Sequence, residues 1–550
     1  MEEGVRRRCL RRQDQALSSL SQNMVYMAAA FVGFVTLALS TAASLDQNVQ
    51  RLFDMLDTDG DGVFSPLELN EHFAGGNASF RSLKGVFGEL DKTGDSKFTV
   101  EDLHLLADFD RPHKIEQVKV ALTGIPTEMK VMFVIMGKSE SNVTVEVKKQ
   151  QSNGTFTWEA YPTSFNTYSV PSRWWEPNGW DGYVYSSRVK GLVPGRTYQY
   201  QIVAHGTSNV SRDHLFFTVP KRAADIEDSN EPTYLAVWGD MGVVPLGFKV
   251  FDQILKDHEL QPFNATMLFG DISYAGIDTE IKFLNVTKAD EWEFVWDLFG
   301  KQIEPMSSKV PFMVGVGNHD MFYGAAAYST RFGMPWEVSK GNSFWYSYDI
   351  GYIHMVSASS EHSFLPNSDQ MKWLITDLEK ARRNRKNVPW IVFNIHRPIY
   401  SSDLDGYSAH KPGCPLQLAF DHLLFQFKVD LVLVGHEHCY ERIHPVVNGS
   451  VVTFPSKKDH EGNDIYENPP APAHVVVGTA GALQEEKWVQ PAPSWSAARY
   501  ANGDSGKYTD TFGYGQLKVF NRTHLRFNFR PISGAIKDVF WLVKSSNGTA

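Results

Sequence analysis

One stretch constrains this chain more than any other: residues 429–442, VDLVLVGHEHCYER. Its alternating β-branched and leucine residues read as a buried strand. The strand stops at Gly435 and presents His436 and His438, one residue apart. Two neutral imidazoles beyond a strand end can grip a metal, but a His-x-His pair is equally at home in a surface loop.

Four more apolar runs decide between these readings. Residues 234–240 (YLAVWGD) end in Asp240, and residues 266–271 (TMLFGD) end in Asp271, with Tyr274 three positions on. Residues 312–318 (FMVGVGN) end in Asn318, followed by His319 and Asp320. Residues 390–396 (WIVFNIH) end in His396, followed by Arg397. Helical patterns intervene at 247–258, 368–385 and 415–428, so strands and helices alternate as in a layered α/β domain. Ligands in such sheets gather beyond the carboxyl ends of the strands, where all five groups sit. Asp240, Asp271, Tyr274, Asn318, His396, His436 and His438 are too many for one tetrahedral ion and suit two metals sharing a carboxylate. Oxygen and imidazole donors without thiolate favour iron, manganese or zinc, and a phenolate donor matches ferric iron.

At 550 residues the chain needs several domains. Its formal charge of −10 gives no footprint for nucleic acid. Residues 1–23 are polar, with five arginines against three acids. Residues 24–43 (MVYMAAAFVGFVTLALSTAA) carry no charge and are long enough to cross a bilayer as a helix. The arginines before it would hold the N-terminus in the cytosol and send the rest outward, as a single-pass type II anchor. Small residues at its end would also allow cleavage of a signal peptide and secretion; the long polar leader favours a retained anchor. Export agrees with nine glycosylation sequons, all beyond this segment, at Asn77, Asn142, Asn153, Asn209, Asn264, Asn285, Asn448, Asn521 and Asn547. Cys414 and Cys439 remain as a candidate disulfide.

Residues 45–107 resemble an EF-hand pair. The first loop, 57–68, places Asp57, Asp59, Asp61, Val63 (through its carbonyl), Ser65 and Glu68 at the calcium-ligand positions, with Gly62 at the sharp turn. The second loop, 91–102, offers Asp91, Thr93, Asp95, Lys97 and Asp102. It has Thr93 for a carboxylate, Ser96 for the turn glycine and the shorter Asp102 for glutamate, so weak or absent Ca²⁺ binding is expected. Residues 115–220 turn to short alternating strands: Val118, Val120 and Leu122; Val131, Phe133 and Ile135; Val143, Val145 and Val147. The segment 192–200 resembles the corner of a fibronectin type III-like sandwich. Trp174, Trp175 and Trp180 suit packing between domains better than a ligand platform. Residues 108–114 and 221–232 read as linkers.

Asp240, Asp271 with Tyr274, Asn318 with His319, His396, and His436 with His438 together resemble the motif set of the purple acid phosphatases, the dinuclear metallophosphoesterases of long, plant-like type. The resemblance spans about 115 to 544, with 233–544 as the catalytic domain. It implies a multi-domain chain: a helical EF-hand pair, an all-β sandwich, then an αββα-layered metallophosphoesterase domain. It implies Fe(III) at Asp240, Tyr274, His438 and bridging Asp271, and a divalent ion (Fe, Zn or Mn) at Asp271, Asn318, His396 and His436. The expected reaction is hydrolysis of phosphate monoesters by a metal-held hydroxide, with His319 stabilising phosphoryl oxygens or protonating the leaving group. The family's further substrate-side histidines are missing after His396; only His410 lies near. A phosphodiesterase or nucleotide pyrophosphatase on the same scaffold is one alternative. A calcium-responsive membrane glycoprotein without catalysis is another. Arg397 and Arg442 are expected to pair with carboxylates such as Asp320 or Glu441 rather than steer phosphate. Glu437 is expected to point away from the metals, and Cys439 to be a packed thiol.

Overall fold

The computed structural model describes residues 62–63, 115–137, 139, 141–171, 179–205, 211–227, 231–243, 245–276, 291, 293–404, 406–453, 456–482, 484, 487–501 and 508–545. The leader, the segment 24–43, both EF-hand loops apart from Gly62 and Val63, Trp174, Trp175 and the sequons at Asn77, Asn209, Asn285 and Asn547 lie outside them. Gly62 has φ +81°, the left-handed backbone that the turn position of a calcium loop requires. Among the described residues no helix is long and apolar enough to cross a membrane.

The first unit is two four-stranded antiparallel sheets. Its strands are β1 (Ile115–Leu122), β2 (Met129–Met136), β3 (Val143–Gln150), β4 (Phe156–Pro162), β5 (Ser164–Asn166), β6 (Gly182–Val189), β7 (Thr197–Ala204) and β8 (Ser211–Thr218). One sheet runs β1-β2-β6-β5 and the other β4-β3-β7-β8. In β3 the inward Val143, Val145 and Val147 are buried while the residues between them are partly exposed, the period-two pattern of a half-buried strand. The Tyr198 hydroxyl accepts the Val193 N–H at 2.9 Å, which closes the corner before β7. Strand β1 departs from the expected alternation, because all eight of its residues are buried. Its outer face is covered by a helix of the second unit: Glu304 accepts the Val118 N–H at 3.2 Å, and the Ser307 hydroxyl donates to the Val118 carbonyl at 2.8 Å.

The second unit contains two further large sheets. β9 (Thr233–Trp238), β10 (Ala265–Phe269) and β11 (Phe312–Gly315) pair in parallel. β12 (Tyr346–Ile350) and β13 (Ile353–Ser357) form a hairpin, and β13, β14 (Trp390–Asn394) and β15 (Leu431–Val434) are again parallel. β16 (Tyr440–Ile443) follows the histidine pair, and β17 (Val446–Val447) and β18 (Ser450–Val451) form a small ribbon. β19 (Ser456–Lys458), β20 (Asp464–Glu467), β21 (Ala473–Val477), β22 (Ser496–Tyr500), β23 (Gly513–Val519), β24 (His524–Pro531) and β25 (Asp538–Val543) complete the sheets. Their orders are β11-β10-β9-β23-β24-β25-β20-β19 and β12-β13-β14-β15-β21-β16-β22.

The helices that matter are α1 (Pro245–Leu260), α2 (Glu293–Ser307) and α3 (Asp369–Arg383). The Ser368 hydroxyl caps α3 by accepting the Met371 N–H. The second sheet has two apolar faces. Val392, Leu431, Leu433, Val475 and Val477 join the large core shared with β9, β10 and α1. Ile391, Phe393, Val432, Val434 and Val476 face a separate core under Leu374 and Leu378 of α3. A strand buried on both faces cannot alternate polar and apolar residues, which is why these runs are continuously hydrophobic.

Three expectations need correction. Residues 221–232 are not plain linker: Ala223–Ile226 form a helical turn, with Asp225 accepting the Arg222 N–H at 2.9 Å. The helix expected at 415–428 is interrupted, with a wide turn at Gln417–Asp421 before a helical turn at His422–Gln426. Cys414 and Cys439 are both buried thiols, with no disulfide between them. Cys439 packs in the core beneath α3, and the Cys414 thiol donates to the Ser408 carbonyl. Among the described sequons, Asn142, Asn153, Asn448 and Asn521 are exposed. Asn264 is half-buried with its side-chain oxygen on the Tyr234 N–H, and its sequon partner Thr266 is fully buried within β10.

Candidate metal centre

The ends of β9, β10, β11, β14 and β15 meet in one place, and the backbone there is unusually close-packed. A Cβ on Gly270 would lie 2.6 Å from His396 Nδ1 and 2.7 Å from the Gly317 nitrogen. A Cβ on Gly435 would overlap Asp240 Oδ2. Glycine before the aspartate and before the first histidine is therefore a packing requirement. The turns are also strained. Asp240, Asp271, Tyr274 and His436 all have positive φ, between 51° and 69°. Left-handed non-glycine backbone costs about 1–3 kcal/mol per residue, and it concentrates where side-chain direction matters more than stability.

The seven candidate side chains converge as two groups. In the first, the Tyr274 hydroxyl donates to Asp240 Oδ1 at 3.1 Å and lies 2.8 Å from His438 Nε2. His438 Nε2 is 3.6 Å from the same Asp240 oxygen. In the second, His396 Nε2 stands 3.1 Å from Asn318 Oδ1 and 3.2 Å from Asp271 Oδ2. Donor atoms of Asp271, His396 and His436 all lie within 4.8 Å of one another. Asp240 Oδ2 accepts the His436 N–H at 2.9 Å and so ties the two groups together, while within the second group Asp271 Oδ1 accepts the His319 N–H at 2.8 Å.

His396 Nδ1 lies 3.0 Å from the Phe269 carbonyl and donates to it. A ring nitrogen fixed this way leaves Nε2 facing the cleft. Burial alone would lower the His396 pKa, but the Asp271 carboxylate outweighs it and raises it to about 10. Burial, His396 and Arg397 together push His436 well below its usual range and keep it neutral. Two acceptors around one buried imidazole nitrogen, beside a neutral imidazole, form a site that is satisfied by a cation.

Asp320 has a role that its sequence position did not reveal. It accepts the N–H groups of Asp271 and Ile272, at 2.9 Å each, and of Gly317 at 2.8 Å. One buried carboxylate thus clamps the β10 and β11 turns together and, among the described residues, pairs with no arginine. Its neighbour His319 packs against Tyr274 at a tilt of 42°, ring centres 4.6 Å apart, with Nε2 3.9 Å from Asp271 Oδ2. Arg442 points away from the cleft, paired with Asp538 at 2.7 Å and Asp464 at 3.0 Å. Glu441 instead accepts the Ser402 N–H at 2.7 Å. Glu437 turns onto His410 Nε2 at 3.0 Å, although one of its oxygens stays within 4.8 Å of a His436 ring nitrogen.

A sixth strand end was missed in the sequence. β13 delivers Ser359, Ser360, Glu361 and His362 to the rim, where Glu361 pairs with Arg397 at 2.8 Å. The run IHMVS ends in serines rather than in donors typical of metals, so its only sequence signal was its position before Glu361 and His362.

Three family models match this chain: "Purple acid Phosphatase, N-terminal domain" at 115–218, "Calcineurin-like phosphoesterase" at 234–440 and "Iron/zinc purple acid phosphatase-like protein C" at 471–538. Acid phosphatase type 7 of Homo sapiens is 32% identical over 384 residues, spanning 66% of this chain and 77% of that protein. The chain belongs to the purple acid phosphatase family. Acid phosphatase type 7 of Mus musculus is 28% identical across 78% of this chain and 91% of that protein. Probable purple acid phosphatase 20 of Arabidopsis thaliana is 27% identical across 79% and 88%. The solved structure of purple acid phosphatase PPD1 from yellow lupin seeds has the same fold, with a TM-score of 0.64 at 22% identity over 80% of this chain and 76% of that one.

Proposed function

We infer that this purple acid phosphatase family member is a dinuclear metal-dependent acid phosphatase whose substrates are phosphate monoesters. The observation that carries this reading is the convergence of seven oxygen and imidazole donors from five strand ends into two adjoining groups. Their chemistry fits the family's metals. Asp240, Tyr274 and His438 would hold ferric iron, Asn318, His396 and His436 a divalent iron, zinc or manganese ion, and Asp271 would bridge. When bound, the cations neutralise phosphate charge and lower the pKa of a water so that it can act as nucleophile.

The chain's own residues supply the rest. Asp320 holds the turns that aim Asp271 and Asn318. The Phe269 carbonyl orients His396 for donation through Nε2. His319, held over Tyr274, is placed to donate a proton or hydrogen bond to a phosphate ester. Metal analysis and a visible spectrum of the purified protein test this reading. Two transition metals per chain and a tyrosinate-to-iron band that disappears in Tyr274→Phe are expected. Fewer than two metals, or no turnover of a nitrophenyl monoester by the loaded protein, would sink it. Asp271→Ala is expected to lose both metals.

We also assign Ca²⁺ to the loop of Asp57, Asp59, Asp61, Val63, Ser65 and Glu68, weaker Ca²⁺ binding at most to 91–102, a fibronectin type III-like character to 115–220, and a membrane anchor to 24–43. Ligand spacing, the left-handed Gly62, the Tyr198 corner and the uncharged twenty-residue run support these assignments. Exposure of Asn142, Asn153, Asn448 and Asn521 suits glycan acceptors better than the half-buried Asn264. Calorimetric titration with Ca²⁺ should show one strong site, abolished by Asp57→Ala.

A further inference from the structure

Arg397 follows His396 directly and reaches across to the other histidine of its group. Its Nη1 donates to His436 Nε2 at 2.9 Å. The opposite edge of the guanidinium is occupied: Nε donates to Glu361 Oε1 at 2.8 Å and Nη2 to Oε2 at 3.2 Å. Glu361 is itself held in place. Ser360 donates its hydroxyl to Oε1 at 2.8 Å and accepts the Arg397 N–H at 3.1 Å. The Ser359 hydroxyl accepts the Glu361 N–H at 3.1 Å, and Gln370 on α3 brackets Ser359, accepting its N–H at 2.6 Å and donating to its carbonyl at 2.9 Å. The arginine side chain is about one-third exposed and its carboxylate partner one-tenth. One guanidinium edge is therefore fixed by the fold, and the other faces the cleft.

That Nη1 edge donates to the nitrogen with which His436 would hold a cation. A guanidinium beside a cation is unfavourable unless an anion lies between them. A phosphate is the anion this site would take. A monoester dianion has three terminal oxygens, so two can face the pair of cations and the third can accept from Arg397. A diester has only two. The family's missing substrate-side histidines leave this side of the cleft to Arg397.

We propose that Arg397, pre-oriented by Glu361, binds the phosphoryl group of the substrate on the His436 side and sets a preference for phosphate monoesters over diesters. This rests on the phosphatase reading of the same centre. Glu361 is a positioning residue that never touches substrate.

The test uses the full, metal-loaded protein and its Arg397→Met, Arg397→Lys and Glu361→Gln variants, each with metal content measured. Two readouts are compared: kcat/KM on nitrophenyl phosphate and on bis(nitrophenyl) phosphate, and the Kd of inorganic phosphate by calorimetry. Loss of hydrogen bonds to a charged group predicts about a 10- to 100-fold weaker phosphate Kd in Arg397→Met. The loss of kcat/KM should be similar on the monoester and several-fold smaller on the diester. Arg397→Lys, which keeps charge without the planar fork, should fall between. Glu361→Gln should raise KM more than it lowers kcat. Equal losses on both esters, or an unchanged phosphate Kd, would overturn the proposal. If Arg397→Met loses metal, the Arg397→Lys comparison decides it. Failure of wild type on every ester would instead refute the phosphatase reading, and the phosphate Kd ratio would still report on Arg397.

Discussion

At the scale of single residues, the centre is governed by close approach and by burial. Gly435 sits against Asp240, so Gly435→Ala should push the carboxylate aside. Transition-metal content per chain, measured by mass spectrometry, is expected to fall while the melting temperature drops by only about 2–4 °C. His474 in β21 presents a different case. It is fully enclosed, neither ring nitrogen has a hydrogen-bond partner among the described residues, and Tyr400 packs edge-on at 5.4 Å. Burial lowers its pKa to about 3. The unfolded histidine takes up a proton before the folded one. Its contribution to stability is full above about pH 6.5 and is lost as pH falls from there toward 3, by about 1.4 kcal/mol per unit. His474→Leu should flatten the acid limb of the stability curve by that slope, as read by urea denaturation between pH 6.5 and 4.5.

At the scale of elements, the β12–β13 hairpin is fastened to α3 through His354. Its ring nitrogens lie 2.6 Å from Asp349 and 3.0 Å from Asp377. Burial opposes the charge, but the two carboxylates outweigh it and raise the pKa to about 9. The sign is opposite to that of His474. The folded pKa lies above the unfolded one, so the stabilisation is full below about pH 6.5 and is lost as pH rises through 9. Asp349 is half exposed, so screening reduces the gain to about 1–2 kcal/mol. His354→Gln should cost that much at pH 6 and little at pH 10. Because β13 leads directly to Ser359–Glu361, the same variant tests whether a loosened hairpin weakens the Arg397 rim: phosphate Kd should rise in step with the lost stability.

At the scale of the molecule, the sandwich and catalytic units share one apolar core and one buried ionic cluster. Arg331 is enclosed between them. It pairs with Asp297 at 2.7 Å, donates to the Tyr168 hydroxyl at 2.7 Å, and lies 4.2 Å above the Trp180 ring. Trp180 stacks on Tyr168 at 4.5 Å and donates to Asp297 at 3.0 Å, so this tryptophan packs between domains. Removing the sandwich would strip Tyr168, Trp180 and Gln117 from this cluster and expose Arg331, Asp297 and Glu293, which stay paired within the catalytic unit. Scanning calorimetry of residues 115–545 should show one unfolding transition for both units. Arg331→Met should lower stability by about 3–5 kcal/mol, because it strands buried carboxylates.

The sequence by itself determined five strands of the catalytic domain, their succession along the chain and the chemical type at each of those ends. Continuous apolar runs closed by Gly-Asp, Gly-Asn and Gly-His can be read from composition and spacing alone, because a buried strand has few other ways to be written. It determined family membership for the same reason. Tertiary structure alone decided direction and partnership. Asp320 turned from an arginine's partner into a clamp on three N–H groups, since backbone donors from β10 and β11 come together only in the folded sheet. Arg442 turned outward to Asp538 and Asp464, whereas Arg397, directly after the candidate ligand His396, turned into the cleft. Glu361 and β1 tell the same story: one lacked a motif, the other lost its alternation to a helix from another domain. Local sequence fixes which way a strand can run, but the contacts of a side chain are chosen by whatever distant surface packs against it.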